Sequence, residues 1–182
     1  MNYYFIACRS GKEEKTREHL LRLFSREMGE ECDVMIFIPM REMIDRRRGK
    51  KIMNNRPILP GYLLASSEED LSLFIQDVRS VAGCYGFLRY VDKSITLRGV
   101  DRTYASWITH NKGTIKPSKA ILKKGEPIKI IEGPMMNFFG TIVGVDYRHS
   151  RATVEFEFHE VVRRVSMPIE FIESDRGIGE DA

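Results

Sequence analysis

The sequence has few cysteines and contains no long apolar run. Its three cysteines, Cys8, Cys32 and Cys84, are far apart and odd in number, and none belongs to a C-x-x-C pair. This spacing excludes both a paired-cysteine zinc site and a disulfide framework that uses every cysteine. No apolar run approaches the roughly 20 residues that a membrane-spanning helix needs, and the first residues lack the basic and apolar regions of a signal peptide. We therefore expect a cytoplasmic protein with reduced thiols and no membrane contact.

Motifs for catalysis and cofactor binding are also absent. The four histidines, His19, His110, His149 and His159, are dispersed, and none has the H-E-x-x-H spacing of a zinc site. The phosphate-binding patterns G-x-x-x-x-G-K-[ST] and G-x-G-x-x-G do not occur. We therefore predict that the protein is not an enzyme and has no catalytic residues, no metal site and no cofactor.

Charge of one sign is not in large excess. The chain has 29 lysines and arginines and 26 aspartates and glutamates, for a formal net charge of +3 at pH 7. Such a balance creates no overall field that would attract nucleic acid. Any nucleic-acid interaction must therefore depend on local clusters of basic residues.

Residues 1–111 alternate between strand and helix patterns. Tyr3-Tyr4-Phe5-Ile6 predicts a first strand, and Ser10 followed by Glu13 predicts a capping box that opens an amphipathic helix. Two more helices are predicted to end near Val78 and Ile108, with strands between the helices. The fold class that this pattern predicts is α+β, with an N-terminal antiparallel β-sheet and flanking helices.

The pattern changes after residue 111. Residues 112–121 are polar, contain glycine and proline, and predict a linker. Residues 122–173 have about five short alternating strands with a turn at Gly133-Pro134, which predicts a small SH3-like β-barrel. Residues 174–182 predict an acidic tail.

The barrel segment contains a recognisable motif. It runs from Lys124-Gly125-Glu126-Pro127 through Gly133-Pro134 to Gly140-Thr141-Ile142-Val143. A strand turns sharply at Gly133-Pro134 and returns to the sheet at Gly140, where a side chain would obstruct close backbone approach. This run resembles the KOW motif, which ribosomal proteins and other RNA-associated factors also contain. An SH3-like barrel without any nucleic-acid role is the alternative.

Three further motifs lie in order in the N-terminal half. They are Tyr3-Tyr4-Phe5-Ile6 with Ser10-Gly11, then Pro57-Ile58-Leu59-Pro60-Gly61-Tyr62-Leu63-Leu64, and then Arg79-Ser80-Val81 with Gly86-Phe87-Leu88. These are similar to the opening, the F-P-G-Y strand and the R-x-V-x-x-V-x-G-F pattern of the NusG N-terminal domain. With the KOW-like run they cover nearly the whole chain, which therefore resembles the NusG family of transcription elongation factors.

This resemblance implies that the N-terminal domain grips the clamp helices of the largest RNA polymerase subunit in an apolar pocket. Aromatic and aliphatic side chains suit a groove that receives helices. The polymerase-binding positions that it implies are Tyr3, Tyr4, Leu59, Pro60, Gly61, Tyr62, Phe87 and Leu88. Tyr62, with its polar tip, is the best single interface candidate. The alternative is that most of these residues, and Phe5 and Leu63, form the core.

The sequence departs from the family pattern at several positions. Leu59 stands where the family has phenylalanine, and Tyr3 where it has tryptophan. The KOW loop reads Gly133-Pro134-Met135 instead of Gly-Pro-Phe, and the F-G-R turn is Phe158-His159-Glu160. The loop phenylalanine belongs to the surface that binds the termination factor Rho or a ribosomal protein, so only a weak expectation of those partners remains. The partner-binding positions in this loop are Met135, Phe138 and Phe139.

Basic residues cluster in two regions, in a hairpin-like stretch and around the linker and barrel turns. The expected nucleic-acid contacts are Arg46, Arg47, Arg48, Lys50, Lys51, Lys116, Lys119, Lys123, Lys124, Lys129, Arg148, Arg151, Arg163 and Arg164. Several like charges on a short turn are costly unless they are solvated or paired with phosphate. The hypothesis is contact with an RNA hairpin, or with upstream or non-template DNA; the alternative is a solvated loop.

The altered loop and the extra basic turns together resemble a specialised NusG paralogue of the LoaP type, which acts in antitermination. Two other functions stay open. One is the housekeeping NusG role, and the other is a KOW-containing protein that binds RNA or the ribosome without contacting polymerase. We expect a monomer.

Overall fold

The computed structural model describes residues 1–47, 50–121 and 127–172. The N-terminal elements are β1 (Asn2–Cys8), α1 (Glu13–Met28), β2 (Met35–Phe37), β3 (Met40–Arg47), β4 (Lys50–Pro57), β5 (Tyr62–Ser67), a 3-10 helix (Leu71–Phe74), α2 (Ile75–Ser80), β6 (Cys84–Phe87) and α3 (Gly99–His110). The later elements are β7 (Thr114–Ile115), β8 (Ser118–Ile121), β9 (Lys129–Glu132), a 3-10 helix (Pro134–Asn137), β10 (Thr141–Asp146), β11 (Arg151–Phe158) and β12 (Val161–Phe171).

The chain packs into two compact units. The first unit comprises Met1–Met40, Pro57–Thr114 and Glu157–Val161. The second comprises Arg41–Arg56, Ile115–Phe156 and the described residues from Val162 onward. The segment Glu157–Val161, which the sequence places in the barrel, therefore packs as part of the first unit.

The first unit is built on a four-stranded sheet in the order β2-β5-β1-β6. Neighbouring strands are antiparallel, with Phe5 opposite Leu64 and Ala7 opposite Tyr62. Because successive side chains of a strand point to opposite faces, Tyr4 and Ile6 lie on one face and Phe5 on the other.

Helix α1 covers the Tyr4 face of this sheet. Leu20, Leu23 and Phe24 recur at helical spacing and are buried in one cluster with Tyr4 and Ile6. The predicted capping box is wrong, because Lys12 occupies the N-cap position and no side chain caps the helix. The carboxylate of Glu13 instead accepts a hydrogen bond from the backbone N–H of Gly61.

The second unit contains the strands of a five-stranded sheet in the order β10-β11-β12-β8-β9. Its strand β11 shows the predicted alternation, since Ala152, Val154 and Phe156 are buried while the residues between them are less so. Strands β8 and β12 pair in parallel, and β8 and β9 pair antiparallel. A separate three-stranded sheet has the order β4-β3-β7.

The predicted α+β fold class is confirmed, with an N-terminal antiparallel sheet and helices followed by a C-terminal β-sheet. Residues 112–121, predicted as a linker, include strands β7 and β8, because Ile115, Ser118 and Ala120 are buried. The domain boundaries themselves stay a prediction. Among the described residues, no helix is long and apolar enough to cross a membrane.

Candidate functional site

The second face of the N-terminal sheet is rich in aromatic and aliphatic side chains. Phe5 and Leu64 are fully buried on it, and Tyr62, two residues before Leu64, is half-buried on the same face. The backbone N–H of Leu88 donates to the carbonyl of Phe5 at 2.8 Å, which extends the face beyond β6. From α3, Tyr104 stacks on Phe5 with ring centroids 6.0 Å apart. Tyr62 is therefore the partly exposed member of a mostly buried aromatic cluster.

A tight turn at Gly61 positions Tyr62. The N–H of Gly61 donates to Oε1 of Glu13 at 2.8 Å, and its carbonyl accepts from the N–H of Cys8 at 2.8 Å. The φ angle of Gly61 is +83°, and a Cβ there would lie 2.9 Å from Oγ of Ser10 and 3.0 Å from the carbonyl oxygen of Cys8. Only glycine meets both the conformational and the steric requirement. The Pro-Gly-Tyr motif is thus tied to β1 and α1.

The environment of Glu13 favours its charged form. Burial raises the pKa of this carboxyl, but hydrogen bonds from the backbone N–H groups of Glu13, Gly61 and Gly11 lower it more, so the net pKa is below the ordinary value. A buried carboxylate that accepts several backbone N–H bonds is stabilised as the anion. The ionised Glu13 therefore holds the turn that precedes Tyr62.

Phe158 fills the centre of the aromatic face. It is 1% exposed and belongs to the segment Glu157–Val161 of the first unit. Its ring centroid lies 4.7 Å from that of Phe5, 5.6 Å from that of Tyr62 and 6.0 Å from that of Tyr104. The centre of this face is therefore covered by a side chain of the same chain.

His159 holds the same segment through a second set of contacts. Its ring stacks on Tyr90 with centroids 4.7 Å apart and an interplanar angle of 10°. Its backbone N–H donates to Oδ1 of Asp101 at 2.8 Å, while the hydroxyl of Tyr90 donates to Oδ2 of the same carboxylate at 2.5 Å. Burial, followed by the nearby Asp101 carboxylate, raises the pKa of Tyr90. Phe158 and His159 are thus both anchored within the first unit.

The predicted polymerase-binding residues do not all share this face. Tyr4 and Phe87 are buried in the cluster with α1, where their ring centroids are 5.7 Å apart. Tyr3, Tyr62 and Leu88 are half-buried and Pro60 is exposed, whereas Leu59 and Gly61 are buried. Because successive side chains of β1 point to opposite faces of the sheet, Tyr3 and Tyr4 lie on opposite faces. A core role accounts for Tyr4 and Phe87.

The predicted partner-binding residues of the second unit also differ in how far they are buried. Met135 is 5% exposed, and its N–H donates to Oγ of Ser118 at 3.0 Å. Phe138 and Phe139 are half-buried and contact each other and Phe156, with Phe138 lying 5.4 Å from Phe156. Met136, which is not among the predicted partner-binding residues, is 58% exposed.

Gly140 confirms the predicted close approach at the end of this loop. A Cβ on Gly140 would lie 2.7 Å from the carbonyl oxygen of Glu155 and would also collide with the ring of Phe138. The backbone at Gly140 therefore lies so close to β11 that only glycine fits at this position.

Several of the predicted nucleic-acid contacts are already paired with carboxylates. Lys119 pairs with Glu132 at 2.7 Å and Arg164 with Glu155 at 2.7 Å. Arg163 is half-buried. The exposed members of the set are Lys50, Lys116, Lys129, Arg148 and the paired Arg164. Arg48, Lys123, Lys124 and the side chains of Arg46, Arg47 and Lys51 lie outside the described residues, as does the predicted acidic tail.

Asp45 connects the β3–β4 hairpin to Arg151 inside the second unit. Its carboxylate accepts from Asn54 at 2.8 Å, from Arg56 at 2.6 Å and from Arg151 at 2.7 Å. The hydrogen bond from Asn54 has the largest effect on the pKa of Asp45 and lowers it; burial opposes this, and the guanidinium groups of Arg56 and Arg151 lower the pKa further, so the net pKa is below the ordinary value. This carboxylate therefore neutralises two of the cations that flank the basic hairpin.

Two features of the first unit were not predicted from the sequence. The packing of Phe158 joins residues far apart in the chain, and no local pattern indicates it. Basic residues also recur at positions 12, 15, 19, 22 and 26, from the N-cap of α1 along the helix, a spacing that is visible in the sequence and places them on one helical face. Within the described part of the chain, no group of three His, Cys, Asp or Glu residues is arranged to hold a metal ion.

Comparison with known proteins gives consistent results. Residues 1–102 match the family model described as transcription termination factor nusG. The transcription termination/antitermination protein NusG of Pseudomonas aeruginosa is 27% identical over 154 residues, which cover 84% of this chain and 86% of the relative. The protein of the same name from Bacillus subtilis is 26% identical over 178 residues, covering 96% and 98% respectively. A solved structure described as "Domain interaction in Thermotoga maritima NusG" has a TM-score of 0.57 at 21% identity and covers 92% of this chain and 93% of that one.

Proposed function

The chain belongs to the NusG family of transcription factors, and from this premise we propose that it binds the clamp helices of RNA polymerase through the second face of its N-terminal sheet. In the cytoplasm it would act during elongation and favour antitermination. The observation that supports this proposal is the half-buried Tyr62, which follows the Gly61 turn and lies at the border of an otherwise buried aromatic cluster. A large amphipathic side chain at such a place is typical of an interface anchor.

Phe158 makes the proposal more specific. Because it lies against Phe5, Tyr62 and Tyr104, a polymerase helix that uses the full aromatic face must take its place. We therefore propose that Phe158 and the polymerase compete for this face. Tyr3, Tyr62 and Leu88 then form the contact, while Tyr4 and Phe87 support the sheet from its other side.

Capture of purified RNA polymerase tests the proposal. We expect Tyr62→Ala to weaken capture by about tenfold, which corresponds to about 1.4 kcal/mol. Tyr85→Ala is the matched control, because Tyr85 lies in the same unit and is 65% exposed. Undiminished capture by a folded Tyr62→Ala variant, or an equal loss in the control, would contradict the proposal. Capture of RNA or ribosomes without any capture of polymerase would support the function that the KOW motif alone suggests.

We also propose that the basic residues of the second unit contact nucleic acid near the polymerase, either an RNA hairpin or upstream or non-template DNA. Lys50, Lys116, Lys129, Arg148 and Arg164 are the exposed candidates, of which Arg164 pairs with Glu155. Phosphate contacts of this kind carry no sequence information by themselves. Neutralising Lys116 and Lys129 together should lower the slope of log affinity against log salt by about 1.4 to 1.8, and an unchanged slope would contradict their involvement.

A specialised paralogue of the LoaP type fits the second unit better than the housekeeping factor does. In support, Met135 stands where the family has a phenylalanine, and it is buried. A capture experiment with purified Rho distinguishes the two functions. We expect no Rho binding by this chain under conditions in which the Bacillus subtilis protein is tested beside it, and binding by both would favour the housekeeping role.

A further inference from the structure

Two of the three cysteines lie opposite each other on neighbouring strands of the N-terminal sheet. Cys8 ends β1 and Cys84 begins β6, and the strand register pairs these two residues. Both side chains are buried on the same face of the sheet, in the cluster that contains Tyr4 and Ile6. The thiol of Cys84 donates to the carbonyl oxygen of Ala7 at 3.7 Å, so its sulfur reaches across to β1. Two thiols that are far apart in the chain are therefore neighbours in the fold.

The hydrogen bonds around the two cysteines define the geometry of the pair. The N–H of Arg9 donates to the carbonyl of Gly83 at 2.8 Å, and this bond joins the residue after Cys8 to the residue before Cys84. Such a pattern identifies a non-hydrogen-bonded pair of an antiparallel ladder, in which the Cα atoms are about 4.5 Å apart and the side chains are closest. A disulfide requires Cα atoms about 4.4 to 6.8 Å apart. The two strands therefore hold the cysteines at a spacing that a disulfide can bridge.

Cys84 is the cysteine that a reagent reaches first. Strand β6 is the terminal strand in the order β2-β5-β1-β6, whereas β1 lies inside the sheet. The pairing of β6 is irregular beside the cysteines, with a register shift between Ala7 and Cys8. Gly83 and Tyr85, on either side of Cys84, are exposed. Because a terminal strand with interrupted pairing opens at a lower free-energy cost than a central strand, local opening exposes Cys84 before Cys8.

Both thiols are protonated near neutral pH while the strands are closed. Burial, followed by the charges of Glu13 and Cys84, raises the pKa of Cys8 to about 11. Burial also raises the pKa of Cys84, against a hydrogen bond from the backbone of Gly86 that lowers it. The thiolate is the reactive form of cysteine, so the closed pair reacts slowly. Both cysteines are accordingly free in the structure, and their oxidation requires that β6 open in the presence of an oxidant.

From this geometry we propose that Cys8 and Cys84 form a reversible disulfide that locks β1 to β6 when the protein meets a low-molecular-weight disulfide. The thiolate of Cys84 attacks one sulfur of that disulfide, expels one small thiolate and forms a mixed disulfide. The thiolate of Cys8 then attacks the sulfur of Cys84 and expels the second small thiolate. Two protein thiols are thus oxidised by two electrons, and the small disulfide is reduced to two thiols. The two protons that the protein loses equal those that the released thiolates take up.

The disulfide makes the stability of the first unit depend on the balance of thiols and disulfides around it. It closes a loop of about 75 residues, and a cross-link over so long a loop strongly restricts the unfolded chain. The N–H of Cys8 donates to the carbonyl of Gly61 at 2.8 Å. The cross-link therefore fixes β1 at the point where the Pro-Gly-Tyr turn is attached.

Free-thiol titration and intact-mass measurement of the full-length Cys32→Ser chain test the proposal. In this variant Cys8 and Cys84 are the remaining cysteines, so pairing through Cys32 cannot occur. Incubation of the folded protein with glutathione disulfide should remove both free thiols and leave a monomer without bound glutathione, and dithiothreitol should restore both thiols. The midpoint of thermal unfolding should rise by about 10 °C on oxidation and return on reduction.

Single variants in the same background test the order of attack. Cys8→Ala should accumulate a mixed disulfide between Cys84 and glutathione, because the second thiol is missing. Cys84→Ala should keep Cys8 as a free thiol over the same period. Neither variant should show the oxidation-dependent rise in the unfolding midpoint. Formation of a glutathione adduct in Cys84→Ala as fast as in Cys8→Ala would overturn the assigned order.

Two results overturn the proposal as a whole. In the first, both thiols of the folded Cys32→Ser chain stay free under conditions that oxidise the same chain in denaturant. In the second, oxidation gives only glutathione adducts or covalent dimers. Because the assay contains no polymerase, its outcome is independent of the Tyr62 experiment.

Discussion

The carboxylate of Glu13 accepts a hydrogen bond from the backbone N–H of Gly61, 48 residues further along the chain, at 2.8 Å. Glu13 is 7% exposed and opens α1, while Gly61 precedes the proposed interface residue Tyr62. One buried contact therefore joins the first helix to the Pro-Gly-Tyr turn. The first two predictions concern the two ends of this hydrogen bond.

Replacement of Glu13 by glutamine should lower the free energy of unfolding by about 1 to 2 kcal/mol at pH 7. The pKa of Glu13 is lowered in the folded protein, so its contribution is fully present above the unfolded pKa of about 4.3 and is lost as pH falls through the folded value. Denaturant titrations at pH 7 and near pH 3 should show the difference between wild type and variant shrinking with acidity. Glu14→Gln, at an exposed position, is the control, and a difference that persists unchanged in acid would contradict this role.

Replacement of Gly61 by alanine should destabilise the protein more than the same change at Gly11. Both glycines have φ near +80°, but a Cβ at Gly11 meets nothing within 4 Å, whereas one at Gly61 meets Ser10 and Cys8. The left-handed conformation alone costs about 1 to 2 kcal/mol, and the collision at Gly61 adds to it. Thermal and chemical unfolding of both variants measures the additional loss of stability at Gly61. Equal losses of stability in the two variants would show that the turn accommodates the added Cβ without further cost.

Substitution of Tyr4 should affect stability and not polymerase binding, in contrast to substitution of Tyr62. The hydroxyl of Tyr4 accepts from the N–H of Leu71 at 3.2 Å in the interior, so Tyr4→Phe leaves a buried donor unsatisfied and should cost about 1 to 2 kcal/mol. Capture of polymerase by the folded Tyr4→Phe variant should equal that of wild type. Tyr85→Phe serves as the exposed control for stability, and reduced capture by Tyr4→Phe would place Tyr4 in the interface after all.

Removal of the Phe158 ring should expose the aromatic face. Phe158→Ala is expected to lower the free energy of unfolding by about 3 kcal/mol, as is usual for a buried phenylalanine, and to raise the affinity for polymerase if Tyr62 becomes free. Val161→Ala, in the same segment but 48% exposed, should change neither quantity. Weaker capture by a folded Phe158→Ala variant would indicate that Phe158 supports the interface instead of competing with it.

Neutralising Asp45 should strengthen binding to nucleic acid. Asp45 pairs with Arg56 and Arg151, so Asp45→Asn frees two cations and should raise the salt slope by about 1 to 2. Asp92→Asn, which frees Arg98 of the first unit, is the matched control. An unchanged slope in Asp45→Asn would indicate that Arg56 and Arg151 act only in holding the hairpin.

Much of the local structure was predictable because its signals are short-range. An amphipathic helix was predicted after the first strand, and α1 confirms it by burying Leu20, Leu23 and Phe24. The third helix was predicted to end near Ile108 and ends at His110, and the alternation along β11 follows the prediction. The start of α1 was predicted wrongly, because a capping box assumes a local partner for Glu13, while the partner in the structure is Gly61.

By itself the sequence determined the order of the elements, the fold class and the family, since these depend on periodic patterns and ordered motifs. Only the tertiary structure decided which of two adjacent tyrosines enters the core, because strand register sets the face that each residue occupies. It also decided that Phe158 fills the aromatic face and that Asp45 neutralises two arginines, because such contacts join residues that only folding brings together.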